Sequence, residues 1–373
     1  MSTFRVASFN VENLFARPKV FNLQDKSVGD DLLKRIGEFR KVLKKPAYTD
    51  ADKAFLVKEF QTGGEGPSGA PLRLYIRVRE DRAKLWRRRS RKIVGVRAGG
   101  VGDIDVTVDF IKSRFDKVAR KNTAKVITTV KADVACIVEA DNRESLKRFD
   151  TDMLSSRYPY EMLLDGNDAR GIDVGIYSKF PLGGIWTHMF DREGRSKTFS
   201  RDCPEYEVLL PSGERLYLLC NHLKSKGYGV QAKSNARRKR QAKAIAEILE
   251  GYDLKNDLVV VAGDLNDTPG SDPLSPLLGL SNLHDVLELQ FPNDPGKRWT
   301  YHYRSFEQID YLLVSTPLKE RLKQAGVERR GIAKLEELTM ASTKVPTEKE
   351  WGSVTKWTNQ ASDHGAVWAD FEA

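Results

Sequence analysis

The feature that most constrains this chain is a set of short apolar runs that each stop at a carboxylate, an amide or an imidazole. Arg5 to Phe9 ends at Asn10, Val134 to Val138 at Glu139, Arg215 to Cys220 at Asn221-His222, and Leu258 to Ala262 at Gly263-Asp264-Leu265-Asn266. Such short, β-branched runs fit strands covered on both faces better than buried helices. Further strands are predicted at Ile172 to Tyr177, Tyr206 to Leu210, Ile309 to Val314 and Ala366 to Phe371. Helices are predicted at Lys117 to Val130, Arg143 to Ser155 and Asn235 to Leu249. Strands outnumber helices and only some are separated by one. A mixed α/β arrangement with stacked sheets therefore fits better than a doubly wound parallel sheet.

Between residues 22 and about 114 the pattern is irregular: one helical stretch, Asp31 to Lys44, a turn-rich Gly63 to Gly69, and an Arg-rich run closing in Gly99-Gly100-Val101-Gly102. This reads as a long insertion in a single catalytic domain spanning residues 1–373. With 40% hydrophobic residues the chain can build a full core, which excludes disorder throughout. No apolar stretch is long enough to cross a bilayer, and Met1 to Phe15 does not read as a secretory leader. Cys136, Cys203 and Cys220 are too scattered for a disulfide framework or a zinc site, so a cytoplasmic setting with reduced thiols is expected.

The formal charge of +10 comes from 62 Lys and Arg against 52 Asp and Glu. Arg73 to Arg97 alone holds nine Arg and two Lys against Glu80 and Asp81. A second run, Lys224 to Lys243, has eight basic residues and no acid: Lys224, Lys226, Lys233, Arg237, Arg238, Lys239, Arg240 and Lys243. A charge run is ordinarily a solvated face. Two runs with so little acid favour a polyanion partner, either nucleic acid or an anionic membrane surface.

Active sites of layered α/β proteins gather at strand ends, and the ends here would line one cleft with oxygen donors and two histidines. Oxygen donors suit a hard cation such as Mg²⁺. Taken singly the residues say little: Asn10 and Asn266 fit turns, Glu139 and Asp264 fit surface acids or caps, and a lone histidine is more often a packed structural residue. Their order along the chain says more. Phe9-Asn10-Val11-Glu12, Glu139, Arg170-Gly171-Ile172-Asp173-Val174, Asn221-His222-Leu223, Gly263-Asp264-Leu265-Asn266, Ile309-Asp310-Tyr311 and Ser362-Asp363-His364 resemble the endonuclease/exonuclease/phosphatase superfamily in order and spacing. That superfamily includes pancreatic-type deoxyribonucleases, abasic-site endonucleases, sphingomyelinases and inositol polyphosphate phosphatases. The likeness covers Phe4 to Phe15 and about Phe115 to Phe371 and leaves the insertion unexplained.

The resemblance implies a two-layer mixed β-sandwich flanked by helices, four layers in all, with a divalent metal at one end. Asn10 and Glu139 would hold Mg²⁺ or Mn²⁺, with Asp363 adjacent or on a second ion. His364 would contact the scissile phosphate, oriented by Asp310, while Asp264 and Asn266 position the attacking water. His222 would face the phosphate from the other side, paired with Asp202 of Phe199-Ser200-Arg201-Asp202-Cys203-Pro204. Arg170, Arg201, Asn221 and Lys224 are candidate substrate contacts. The insertion's Arg87, Arg88, Arg89 and Arg91 would extend the cleft along further phosphates. Two departures stand out: Val138 replaces the usual Gln before the metal Glu, and Glu12 occupies a place where many members carry a different polar residue.

In-line hydrolysis of a phosphodiester needs an activated water, charge neutralisation on the phosphoryl oxygens and help for the departing alkoxide. These residue types supply all three. A metal-dependent phosphodiesterase acting on nucleic acid, with DNA endonuclease as the leading reading, is the expectation. The alternatives are a phosphatase or phospholipase of the same superfamily and a binding module that has lost catalysis. Glu307-Gln308-Ile309-Asp310-Tyr311 stands where inositol phosphatases resemble one another in Pro-x-Trp-x-Asp-Arg, and sphingomyelinases are commonly exported. Both histidines and every expected metal position are present, which argues against loss of catalysis.

Overall fold

The apolar runs fold into two six-stranded sheets. The structure is a computed structural model that describes residues 3–373 except 13, 15–17, 22, 24, 112–116, 169–170 and 227–229. Its strands are β1 (Thr3–Asn10), β2 (Val134–Ala140), β3 (Tyr160–Leu163), β4 (Asp173–Ser178), β5 (Leu182–Trp186), β6 (Glu205–Leu209), β7 (Arg215–His222), β8 (Leu258–Asp264), β9 (Leu283–Asp285), β10 (Asp310–Ser315), β11 (Leu322–Glu328) and β12 (Ala366–Glu372). One sheet runs β11-β12-β1-β2-β4-β3 and the other β9-β10-β8-β7-β6-β5. Each is mixed, with one parallel pair at its centre: β1 with β2, and β7 with β8.

Continuous apolar runs are needed because these strands are covered on both faces. Val6, Cys136, Val138 and Ile176 of one sheet meet Leu218, Cys220, Val260 and Leu312 of the other in a core between the sheets. Phe9 and Ile137 pack outward against α1 (Lys117–Val130) and α2 (Arg143–Met153), through Ile127, Val130, Leu146 and Phe149. Leu219, Val261 and Tyr311 pack against α3 (Gln231–Leu249), through Ala242, Ile245 and Leu249. The result is the expected order of helices, sheet, sheet, helices, with each fully buried aliphatic side chain contributing about 1.5–3 kcal/mol. All three cysteines are free and buried. Helix α3 begins four residues before the expected Asn235, whose side chain accepts a hydrogen bond from Arg238 Nη2 instead of capping the helix.

The chain divides into two units, Met1–Phe15 with Phe115–Ala373, and Ala16–Arg114. The second corresponds to the insertion and has its own core of Leu32, Ile36, Phe39, Leu56, Leu72 and Trp86. Its first helix runs Lys26–Leu43, starting earlier than expected because Asp25 caps it by accepting from Ser27 N. Arg35 is buried there against Glu59 at 2.9 Å. Two antiparallel ribbons complete the unit: Ile76–Glu80 with Val106–Phe110, and Trp86–Arg89 with Lys92–Val96. Among the described residues no helix is long and apolar enough to cross a membrane.

Candidate active site

Strand direction brings the polar termini together. The parallel pairs place the C-terminal ends of β1 and β2, and of β7 and β8, side by side, with Asn10 opposite Val138 and His222 opposite Asp264. Antiparallel β10 begins where β8 ends, with Asp310 opposite Asp264, and the segment leading into antiparallel β12 carries Ser362-Asp363-His364 to the end of β1.

Two hydrogen bonds join the sheets at this end. Asn10 Nδ2 donates to Asp264 Oδ2 at 3.2 Å, and His364 Nδ1 lies 2.8 Å from Asp310 Oδ2. His222 Nε2 lies 3.6 Å from Asp264 Oδ2 and 3.8 Å from Glu139 Oε1, and His364 Nε2 lies 3.8 Å from Asp363 Oδ1. Asp264 lies within 4.8 Å of both Asp310 and His364, so seven expected residues, Asn10, Glu139, His222, Asp264, Asp310, Asp363 and His364, form one cluster.

Local backbone features aim these groups. Glu139 has φ of 68° and sits at the irregularity where Val138 and Ala140, but not Glu139, pair with β4. A bulge turns its carboxylate out of the strand's alternation. Gly263 has φ of 136°, and a Cβ there would lie 1.9 Å from the Asn221 carbonyl oxygen, so only glycine permits the register that sets Asp264 beside His222. Asn266 takes φ of 57°, its N–H donates to Asp264 Oδ1 at 2.8 Å, and its Nδ2 donates to the Leu223 carbonyl. Asp264 is therefore fixed through both oxygens.

Burial alone would pull the His364 imidazole down, yet the charge of Asp310 and the bond to it prevail, with Asp363 and Asp264 adding. Its pKa is raised to about 10. Burial, reinforced by the charge of Asp310, pushes the Asp264 carboxyl up to about 7. Asp264, Asp310 and His364 offer ligand atoms within 4.8 Å of one another. Within this trio His364 Nδ1 is already engaged by Asp310 Oδ2 at 2.8 Å, which makes the two an oriented carboxylate–imidazole pair. Asn10, Glu139 and Asp264 offer oxygens on the adjoining side, a donor set suited to a hard cation.

One expected pairing is not formed, and several expected substrate contacts have partners within the fold. Asp202 does not pair with His222: it accepts from Thr187 Oγ1 at 2.6 Å and from the N–H groups of His188 and Cys203. A carboxylate buried beside loop N–H groups is drawn to satisfy them. Arg201 is buried against Asp168 at 3.0 Å, and its Nη1 donates to the Leu223 carbonyl at 3.2 Å, which makes it a support for the loop after β7. Strand alternation turns Asn221 to the α3 side, where its Nδ2 donates to Leu219 O. Lys224 uses its backbone N–H on Gln241 Oε1, and its Nζ lies 3.3 Å from Ser225 O. Arg170 lies outside the described residues.

The second basic run is largely neutralised within the fold. Arg238 is fully buried and pairs with Asp267 at 2.8 Å. Lys226 meets Asp267 and Glu307, Lys239 meets Asp272, Arg240 meets Glu193, and Lys243 meets Glu247.

Further residues support the cluster from around it. Thr300 Oγ1 accepts from the N–H groups of Ile309 and Asp310, and the Tyr301 ring packs 4.8 Å from that of His364. Ser362 Oγ donates to Asn10 O at 2.6 Å and accepts from His364 N. Glu12 accepts from Gln360 Nε2, while its own N–H donates to Asn10 Oδ1. Ser362, inside Ser-Asp-His, and Glu12, inside Phe9-Asn10-Val11-Glu12, had a signal in the sequence, whereas Thr300, Tyr301 and Gln360 had none.

A helix-flanked sandwich of two mixed sheets with acids, amides and imidazoles at one end defines a class of layered α/β proteins with a strand-end site. The chain belongs to the Endonuclease/Exonuclease/phosphatase family, whose sequence profile matches residues 109–364. Members of that family are hydrolases, phosphodiesterases among them, and commonly use divalent metals. Sphingomyelinase C of Leptospira interrogans is 24% identical over 206 residues, 49% of this chain and 37% of that protein, so the chain spans little more than a third of this relative's length. Truncated TDP2 of Caenorhabditis elegans is 18% identical, with a TM-score of 0.47 over 68% of this chain and 90% of that one. An endonuclease/exonuclease/phosphatase family protein of Bacteroides thetaiotaomicron is 14% identical, with a TM-score of 0.49 over 100% of this chain and 96% of that one.

Proposed function

We propose that the protein is a divalent-metal-dependent phosphodiester hydrolase acting on nucleic acid, with DNA the leading substrate and internal cleavage its mode. The observation that carries this reading is the cluster joined across the two sheets by Asn10 with Asp264 and by His364 with Asp310. It combines a relay that keeps one imidazole charged with a carboxylate whose pKa lies near neutrality.

Asn10 and Glu139 would hold Mg²⁺ or Mn²⁺, with Asp363 adjacent, and the ion when bound supplies charge neutralisation to the phosphoryl oxygens. His364, protonated through neutral pH and held at Nδ1 by Asp310, presents Nε2 as a charged donor to a phosphate oxygen. Asp264 is the group that accepts the proton of the attacking water, its basicity set by burial and by Asp310. Asn266 fixes the Asp264 carboxylate through its N–H. His222, beside Glu139 and Asp264, stabilises or protonates the departing oxygen. The three buried thiols suit a reducing, cytoplasmic setting.

A second reading, hydrolysis of a phospholipid diester, is favoured by the likeness to a sphingomyelinase C. Purified protein incubated with supercoiled plasmid, single-stranded DNA, RNA and a soluble phospholipid analogue separates the two. Nicking of plasmid with the lipid analogue left intact is the expected result; the reverse pattern selects the second reading.

A further inference from the structure

The two basic runs differ in a way their composition does not reveal. In the catalytic unit, Lys226, Arg238, Lys239, Arg240 and Lys243 each meet a carboxylate. In the unit Ala16–Arg114, the hairpin of Trp86–Arg89 and Lys92–Val96 does the opposite. Its buried side is formed by Trp86 and Val96, with Ile93 partly covered, and Arg88 meets Glu80 at 3.3 Å. Arg87, Arg89, Arg91 and Lys92 are exposed, and among the described residues none has a carboxylate within ion-pair distance.

Three further features mark this tip. Arg89 and Lys92 are direct cross-strand partners, a like-charge pairing that destabilises a ribbon unless an anion lies between. The connecting residues Ser90 and Arg91 both have positive φ, 47° and 69°, as a two-residue primed turn requires, although neither is Gly, Asn or Asp. Gly95 leaves room for the Arg87 guanidinium to lie across the ribbon, because a Cβ there would come within 2.9 Å of Arg87 Nη2.

We infer that this hairpin is a nucleic-acid-binding arm that engages backbone phosphates through Arg87, Arg89 and Arg91; the inference rests on the nucleic-acid reading of the catalytic site. A two-stranded ribbon fits the major groove of a duplex. The arm is richer in Arg than in Lys, and the guanidinium fork matches phosphate oxygens in a bidentate way. The turn end of the hairpin, Arg87 to Lys92, carries no apolar side chain, and Val94 is the one exposed apolar residue on its strands.

The test is fluorescence anisotropy of a labelled DNA duplex across a salt series in EDTA, so that binding is read without turnover. Wild-type protein is compared with a combined Arg87→Gln, Arg89→Gln, Arg91→Gln variant and with the corresponding Arg→Lys variant, each checked by circular dichroism. The slope of log affinity against log salt should become shallower by about 0.9 per lost phosphate contact in the Gln variant and hold in the Lys variant. Equal slopes for wild type and the Gln variant would overturn the arm and leave the nucleic-acid reading standing. Absence of salt-dependent DNA binding, with phosphatidylserine vesicles bound by wild type and not by the Gln variant, would overturn the nucleic-acid assignment itself.

Discussion

His364 holds its proton through neutral pH because the charge of Asp310, facing Nδ1, outweighs the cost of burial. Removing the ring takes away a charged donor to the phosphate and leaves Asp310 without its partner, so His364→Ala should lower turnover by about 10²-fold or more, as should His222→Ala. His284 and His302 stand outside the cluster, and their alanine variants should keep near wild-type turnover in the same assay. Asp264 gives a thermodynamic signature. Its folded-state pKa of about 7 lies above the ordinary value of 3.8, so its contribution to stability is full below the ordinary value and is lost as pH rises through about 7. A cation bound beside Asp264 would offset the negative charge that the carboxyl gains on ionising. The rise in melting temperature on adding Mg²⁺ should therefore be larger at about pH 8 than at about pH 5. A shift equal at both pH values would detach the cation from Asp264.

Among the structural elements, the bulge at the end of β2 stores strain where the carboxylate is needed. Glu139→Gly and Glu139→Ala both delete the ligand, but glycine adopts a φ of 68° freely. The glycine variant should be the more stable by about 1 kcal/mol in urea unfolding, although glycine is ordinarily the poorer strand residue. Helix α3 gives a second contrast. Arg238→Ala empties a fully buried site and leaves Asp267 with Lys226 alone, and should cost about 3–5 kcal/mol, whereas Lys239→Ala, on an exposed pair, should stay within about 0.5 kcal/mol. These elements also show what a sequence reveals. Continuous apolar runs such as Leu258 to Ala262 are legible because burial on both faces leaves no polar alternation. Strands β3, β5 and β11 are not, because edge strands and the ends of ribbons mix polar and apolar residues. The bulge at Glu139 has no local signature at all, since its φ is imposed by register against β4.

For the molecule as a whole, the layered architecture and most of the candidate site were legible for one reason: a polar residue closing an apolar strand has few destinations other than a strand-end cleft. The illegible part was pairing. Asp202 and Arg201 stand near the right place in the chain, yet their partners are set by loop N–H groups and by Asp168. The basic run on α3 looked like a polyanion surface until its carboxylate partners appeared from distant segments. The central claim is that the cluster at the sandwich end is a metal-assisted phosphodiesterase centre for nucleic acid. Its most direct measurement is conversion of supercoiled plasmid to nicked circles by purified protein with Mg²⁺ or Mn²⁺, with excess EDTA, and with the His364→Ala variant. Nicking that requires the cation and falls by about 10²-fold in the variant is the predicted result. Undiminished nicking in EDTA, or by a folded His364→Ala protein, would contradict it.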